Sequence, residues 1–171
     1  FWDRIALTSL EAEVVDALRI IESDIERLNL LSDAGRENET ERVPKVKLRG
    51  EDEPVLLRSL GDGMNRLFGI ALALANAKAG VLLIDEIENG LHYSVQKDVW
   101  RLVFETATRL DVQVFATTHS LDCISAFQCA AVESKEEAML VRLQEKNGET
   151  TATLFDRRRL GIATQEVIEI R

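Results

Sequence analysis

The sequence predicts an α/β fold built around parallel strands, and three observations carry that expectation. Val81-Leu82-Leu83-Ile84 and Val112 to Ala116 are short apolar runs, which read as strands buried on both faces. Between them, from about Ser94 to Arg109, Val95, Val99, Leu102, Val103 and Thr106 recur at helical spacing. Strand, helix, strand with this crossover length makes a right-handed unit with parallel strands. The remaining strand-like segments come in pairs without an intervening helix, which predicts hairpins flanking the parallel core.

Taken in chain order, Thr8-Ser9-Leu10-Glu11 has the capping-box pattern, with Thr8 as N-cap. A helix follows to about Ile21, with Leu10, Val14, Ala17, Leu18 and Ile21 on one face. Ile25 to Leu31 reads as a strand, and Ser32 to Arg42 as a polar, exposed loop. From Val43 to Arg49 a second strand alternates Val46 and Leu48 with Lys45, Lys47 and Arg49, and it pairs with the first as a hairpin. Gly50-Glu51-Asp52-Glu53-Pro54 breaks that strand. Leu60-Gly61-Asp62-Gly63 is a glycine turn opening a helix from about Asp62 to Lys78. Met64, Leu67, Phe68, Ile70, Ala71, Leu72, Leu74 and Ala75 surround most of that helix, so it is expected to be buried, with Gly80 as its stop signal. Beyond the βαβ unit a short helix spans about Leu121 to Ala131. Ala138 to Gln144 and Thr150 to Phe155 then flank the turn signal Lys146-Asn147-Gly148. Gly161 to Ile170 reads as a small terminal helix or an irregular segment.

A length of 171 residues is enough for one domain with a real core. No run approaches the ~18 apolar residues of a membrane span, and no signal peptide is visible. The first residue is Phe1 rather than Met, which predicts that the numbering starts inside a longer protein. A net charge of −9 argues against a generally basic nucleic-acid surface. Arg157-Arg158-Arg159 is a local basic run, read first as a solvated face, with a nucleic-acid contact as the minority alternative. Cys123 and Cys129 lie on different sides of one helix with no zinc-ligand spacing, so both read as buried thiols in a reducing cytoplasm.

Chemistry concentrates where the first apolar run ends in Asp85-Glu86. Buried charge is expensive, so these acids belong just beyond the strand's carboxyl end, where open α/β sheets bind ligands. That layout is the Walker B pattern of nucleotide hydrolases, although a solvated loop acid is the plainer reading of Glu86. Four elements recur in order: a glycine turn opening a buried helix, the strand ending in Asp85-Glu86, the loop Glu88-Asn89-Gly90-Leu91-His92, and a strand ending in His119. Together they resemble the carboxyl-terminal half of an ABC-type or AAA ATPase domain, akin to the OLD family and more distantly to RecF and SMC ATPases. The resemblance is strongest over Val55 to Phe127.

The resemblance implies a role for each of these positions. Asp85 corresponds to the Walker B aspartate that holds Mg2+ through water, and Glu86 to the catalytic glutamate that positions the attacking water. His119 matches the switch histidine at the γ-phosphate. Leu60-Gly61-Asp62-Gly63-Met64 stands where the ABC signature usually reads Leu-Ser-Gly-Gly-Gln, a turn that meets the ATP of the other subunit. Gly61 and Gly63 suit close backbone approach to phosphate, and a helix N-terminus favours anions. Here Gly61 replaces the usual Ser, with Ser59 as a substitute hydroxyl. Asp62 replaces a Gly and has to turn away and cap the helix. Asn89 and Gly90 correspond to the loop that faces the dimer partner. His92 is read first as a surface or helix-start residue.

No Gly-x-x-x-x-Gly-Lys-Ser/Thr occurs, so the backbone cradle and lysine for the phosphates are absent. In the resembling family that P-loop lies upstream. The expected fold is therefore a partial P-loop NTPase sheet. Residues 1–54 form a helical and hairpin arm, 55–132 the signature, Walker B and switch-histidine core, and 133–171 a C-terminal hairpin and tail. The expected parent is a cytoplasmic, Mg2+-dependent ATPase that homodimerises around ATP, with this chain alone inactive. Two alternatives stay open. One is the ATPase component of an OLD-like nuclease or phage-defence system, with a nuclease or nucleic-acid partner. The other is a non-catalytic, ATPase-like dimerisation module, which the altered Gly61 and Asp62 favour. A transporter subunit is disfavoured because the signature departs from the transporter form.

Overall fold

The computed structural model describes residues 1–32, 42–134, 137–146, 148–156 and Arg159. A short helix α1 (Trp2–Ile5) buries Trp2 and Ile5 and leads into α2 (Ser9–Leu18). Thr8 caps α2 as the capping box predicts, its hydroxyl oxygen accepting the Leu10 N–H at 3.2 Å. The reciprocal bond is displaced by one residue, because Glu11 Oε2 accepts from Leu7 N–H at 2.6 Å. Regular helix ends at Leu18, about a turn short of the expected Ile21. There Ile20 and Ile21 donate to Ala17 and Leu18, the tighter i→i+3 pattern of a helix end.

β1 (Ile25–Ser32) and β2 (Arg42–Leu48) form the expected antiparallel hairpin, with Leu28 opposite Val46 and both buried. The loop read over Ser32 to Arg42 lies outside the described residues except for its two ends, which belong to the strands. β3 (Val55–Leu56) adds a short third strand beside β2 and passes into a 3₁₀ turn, Leu57–Leu60.

α3 (Asp62–Asn76) is the spine of the core. Met64, Leu67, Ile70, Ala71, Leu74 and Ala75 are buried against α1, α2 and α4. Each large apolar side chain so buried stabilises the fold by roughly 1.5–3 kcal/mol. The expected stop signal is displaced: Ala79, not Gly80, takes the left-handed conformation with φ 54°. Its N–H donates to Leu110 O at 2.9 Å, which ties the α3–β4 connection to the end of α4. Gly80 is needed for space instead, since a Cβ there would meet Ala77 O at 3.0 Å.

β4 (Val81–Ile84), α4 (Tyr93–Leu110) and β5 (Gln113–Ala116) make the βαβ unit, with β4 and β5 parallel and Ile84 opposite Ala116. Burial of these strands on both faces is not what the structure shows. Leu82 and Ile84 face the core, but Val81, Leu83 and Phe115 are 58%, 75% and 53% exposed, because no described element packs on that side. On α4 the inner face also takes in Gln96, Trp100 and Leu110, because the helix packs against α5 (Leu121–Glu133) as well as α3. Cys123 is buried as expected, whereas Cys129 on the same helix is exposed. Six positions turn the helix far enough to put Cys129 on the outer face.

β6 (Met139–Lys146) and β7 (Glu149–Asp156) form the predicted antiparallel hairpin. Asn147 of its turn, Arg157 and Arg158 of the basic run, and the segment from Gly161 to Ile170 lie outside the described residues. Arg159 is exposed and donates to Leu154 O at 3.1 Å. No helix among the described residues is long and apolar enough to cross a membrane.

Candidate functional site

Parallel pairing puts the carboxyl ends of β4 and β5 side by side, so the chain leaves both strands at one edge. Thr117 N–H donates to Ile84 O at 2.9 Å and Ile87 N–H to Thr117 O at 3.1 Å, which extends the ladder one step past the strands. Asp85 and Glu86 sit at this step and are both exposed. Thr117 grips them from the neighbouring strand. Its hydroxyl donates to Asp85 Oδ1 at 2.5 Å and accepts the Glu86 N–H at 2.9 Å. Glu86 is in the left-handed region with φ 46°. For a residue with a Cβ this costs roughly 1–2 kcal/mol, and such outliers cluster at functional sites.

The second wall is the start of α3. Gly61 has φ 104° and serves as N-cap. Asp62 is the first helical residue rather than the cap, and no side chain caps this helix; the expected capping role of Asp62 is therefore not realised. With no cap in place, the first N–H groups of α3 are left for water or an anion. Ser59 is exposed, and its hydroxyl donates to Leu56 O at 2.6 Å within the 3₁₀ turn. Gly63 lies against the loop after β4, where a Cβ would stand 2.9 Å from Gly90 O. Gly90, with φ 78°, returns the contact toward the Asp62 backbone. Gly63 thus lets the α3 turn and the 86–91 loop touch backbone to backbone, while Gly90 supplies the positive φ that the loop needs.

Asn89 is exposed in that loop and donates its N–H to Glu86 O at 2.9 Å. Glu88 reaches across to the other strand end, its Oε1 accepting the His119 N–H at 3.1 Å. The His119 backbone is thereby fixed, and its ring is left on the exposed edge. His92 is the N-cap of α4, with Nδ1 2.8 Å from Ser94 Oγ, in line with a helix-start role. Cys123 lies beneath this edge; burial raises its thiol pKa more than Thr118 and Trp100 lower it, so it stays a protonated, inert thiol.

Three participants were given no role by the sequence. Thr117 donates one hydrogen bond and accepts another across the strand ends, and Glu88, inside the predicted loop, accepts one. Arg66, one turn into α3, donates from Nη2 to Asp85 O at 2.6 Å and Glu86 O at 2.7 Å. These contacts span 19 to 32 residues, all but the Thr117–Asp85 bond joining a side chain to backbone, and the only sequence signal was a polar residue on an otherwise buried helix or strand end.

The described residues hold no group of three or more potential metal-binding side chains. A lone exposed carboxylate, with one oxygen tied to Thr117, fits Mg2+ nonetheless. That ion keeps most of its waters and takes only one or two protein carboxylates beside substrate phosphates.

Residues 4–124 match the family described as "AAA domain, putative AbiEii toxin, Type IV TA system". The chain belongs to this AAA family. A curated relative of the AAA domain is an "ATP/GTP phosphatase" from Helicobacter pylori (strain ATCC 700392 / 26695), 34% identical over 83 residues. The match covers 47% of this chain and 22% of that protein, so the chain spans about a fifth of the relative's length. Among solved structures, one from work on ATP-driven dimerization and DNA-stimulated activation of SMC ATPases superposes with TM-score 0.61 at 13% identity, covering 93% of this chain and 91% of that one. The Smc head domain of Pyrococcus furiosus, bound to the C-terminal domain of ScpA, gives TM-score 0.59 at 15% identity and covers 93% and 37%. At these identities the likeness establishes the fold alone, a mixed α/β architecture like that of SMC ATPase heads; together with the family match and the curated relative it supports the ABC/AAA-type ATPase domain that the sequence resemblance implied.

Proposed function

We propose that this AAA domain is the carboxyl-terminal half of a Mg2+-dependent ATPase that dimerises around ATP and couples hydrolysis to a conformational change. The observation that carries the reading is the Asp85–Glu86 turn, clamped by Thr117 and set beside the uncapped start of α3. Phosphoryl transfer needs little covalent help from a protein, and its catalysis is mostly positioning and charge stabilisation. Asp85 would hold Mg2+, which when bound neutralises charge on the phosphates. Glu86 is the general base that orients the attacking water and takes its proton at the carboxylate. His119 faces the γ-phosphate. In trans, Asp62 and Gly63 present backbone N–H groups to the partner's nucleotide, with Gly61 giving the turn its open shape while its own N–H bonds Arg58 O, and with the Ser59 and Asn89 side chains at the margin.

In this reading the chain divides as 1–54 (arm), 55–132 (core) and 133–171 (hairpin and tail). The phosphate-binding loop comes from a lobe outside this sequence. The exposed apolar side of β4 and β5, with Val81, Leu83 and Phe115, supports such a lobe seated there. This chain without that lobe is then inactive, and the working protein is cytoplasmic.

The family description, which includes a toxin of a type IV system, and the OLD-like pattern favour a second setting, an ATPase serving a nuclease or defence system. Asp62 at the first position of α3, where phosphate would approach, favours a non-catalytic dimerisation module. Turnover separates that module from the ATPase. In the parent protein carrying the P-loop lobe, Glu86→Gln is expected to keep ATP binding and to lower kcat by about 100-fold or more. Turnover equal to wild type removes Glu86 from the mechanism.

A further inference from the structure

We propose that Arg66 is a positioning residue for the Asp85–Glu86 turn and sets the direction of the Glu86 carboxylate; this rests on the catalytic reading of Glu86 given above. Its Nη2 donates to the carbonyls of both residues, at 2.6 and 2.7 Å. Two consecutive carbonyls converge on one nitrogen because Glu86, with φ 46°, takes a turn rather than an extended conformation. An extended Glu86 would point its carbonyl to the opposite side of the chain, and one of the two bonds would be lost. Thr117 takes the Glu86 N–H, and Arg66 shares the Glu86 carbonyl with the Asn89 N–H, so both polar groups of the strained residue are engaged and, among the described residues, Arg66 alone joins the carbonyls of Asp85 and Glu86 to α3.

Charge adds a second reason for an arginine here. Two carbonyl dipoles converge on one nitrogen, and a guanidinium, always charged and rich in donors, bonds both more strongly than a neutral donor would. The placement also has a rigid base. Arg66 lies between Met64 and Leu67, both fully buried, so its stem is anchored to the core helix. Its Nε is buried and has no partner, which indicates a side chain held by the two carbonyl bonds rather than by a wider network.

The test uses the parent protein with its P-loop lobe, comparing wild type, Arg66→Met, Arg66→Lys and Glu86→Gln in steady-state ATP hydrolysis. Arg66→Met keeps the stem and removes the donors. It is expected to lower kcat by about 10- to 100-fold with KM for ATP within about twofold of wild type, as for a reacting group displaced by about an ångström. Arg66→Lys, which keeps donors and charge, is expected to recover part of that loss. Thermal midpoints of all variants show whether each is folded. If Glu86→Gln abolishes turnover and folded Arg66→Met matches wild type, the positioning role is wrong and the ATPase reading stands. If Glu86→Gln itself has no effect, the catalytic reading fails first. A fall in kcat that lysine does not recover at all, with KM rising in step, assigns Arg66 to general folding of the site and overturns the proposal.

Discussion

Thr117 carries two hydrogen bonds that no other described residue duplicates, one to the Asp85 carboxylate and one from the Glu86 N–H. Both lie at an exposed edge, so water replaces much of what a deletion removes. Thr117→Val, close in shape but without the hydroxyl, is expected to cost about 1 kcal/mol of stability. Its larger effect falls on turnover in the parent protein, about 10-fold or more, because the turn loses its grip on Glu86. Thr117→Ser retains the hydroxyl and is expected to stay near wild type; kcat together with urea unfolding checks both. At this scale the sequence was partly legible. The exposed position of Asp85 and Glu86 at the strand's carboxyl end was legible because charge directly after an apolar strand is conspicuous; His119, three residues past β5, was singled out only through the family resemblance. Thr117 could not, because a threonine at a strand end is ordinary until its partner 32 residues away is in place. Cys129 was misjudged for a similar reason: helical periodicity on α5 did not reveal which flank faces solvent.

Elements show the same division between local and long-range causes. The β1–β2 and β6–β7 hairpins and the crossover of β4, α4 and β5 were legible, because alternation, turn residues and helical spacing are local. The burial of β4 was not. A run of four apolar residues is the same whether one side is covered or two, and Val81 and Leu83 are exposed because nothing described lies over them. The α3 turn has a sharper consequence. Gly63 and Gly69 lie on the same helix, but a Cβ at Gly63 would stand 2.9 Å from the Gly90 carbonyl oxygen, while one at Gly69 meets nothing within 4 Å. Gly63→Ala is expected to destabilise by about 1–3 kcal/mol, since backbone has to move. Gly69→Ala is expected to stabilise by about 0.5–1 kcal/mol, since a helix-interior glycine gains from a side chain that meets no obstacle. Urea unfolding of the two variants reads opposite signs if the contact between the α3 turn and the 86–91 loop is as described.

Across the molecule, ion pairs bind the outer helices to one another and to the arm. Lys97 and Arg101 on α4 both meet Glu133 on α5, at 2.6 and 2.7 Å, and hold that carboxyl below its usual range. Arg109 at the end of α4 forks onto Glu13 of α2. Exposed pairs of this kind add little stability, and the core around α3 supplies most of it. The described residues thus present an edge with Asp85, Glu86 and His119 exposed on it, and these 171 residues contain no Gly-x-x-x-x-Gly-Lys-Ser/Thr pattern. We propose that this edge works in an ATP-bound dimer. The most direct measurement is the molar mass by light scattering of the parent protein carrying Glu86→Gln, with and without Mg-ATP. The expected result is a monomer that becomes a dimer when Mg-ATP is added. A mass that does not change while ATP binding is separately confirmed would contradict it and favour the non-catalytic module.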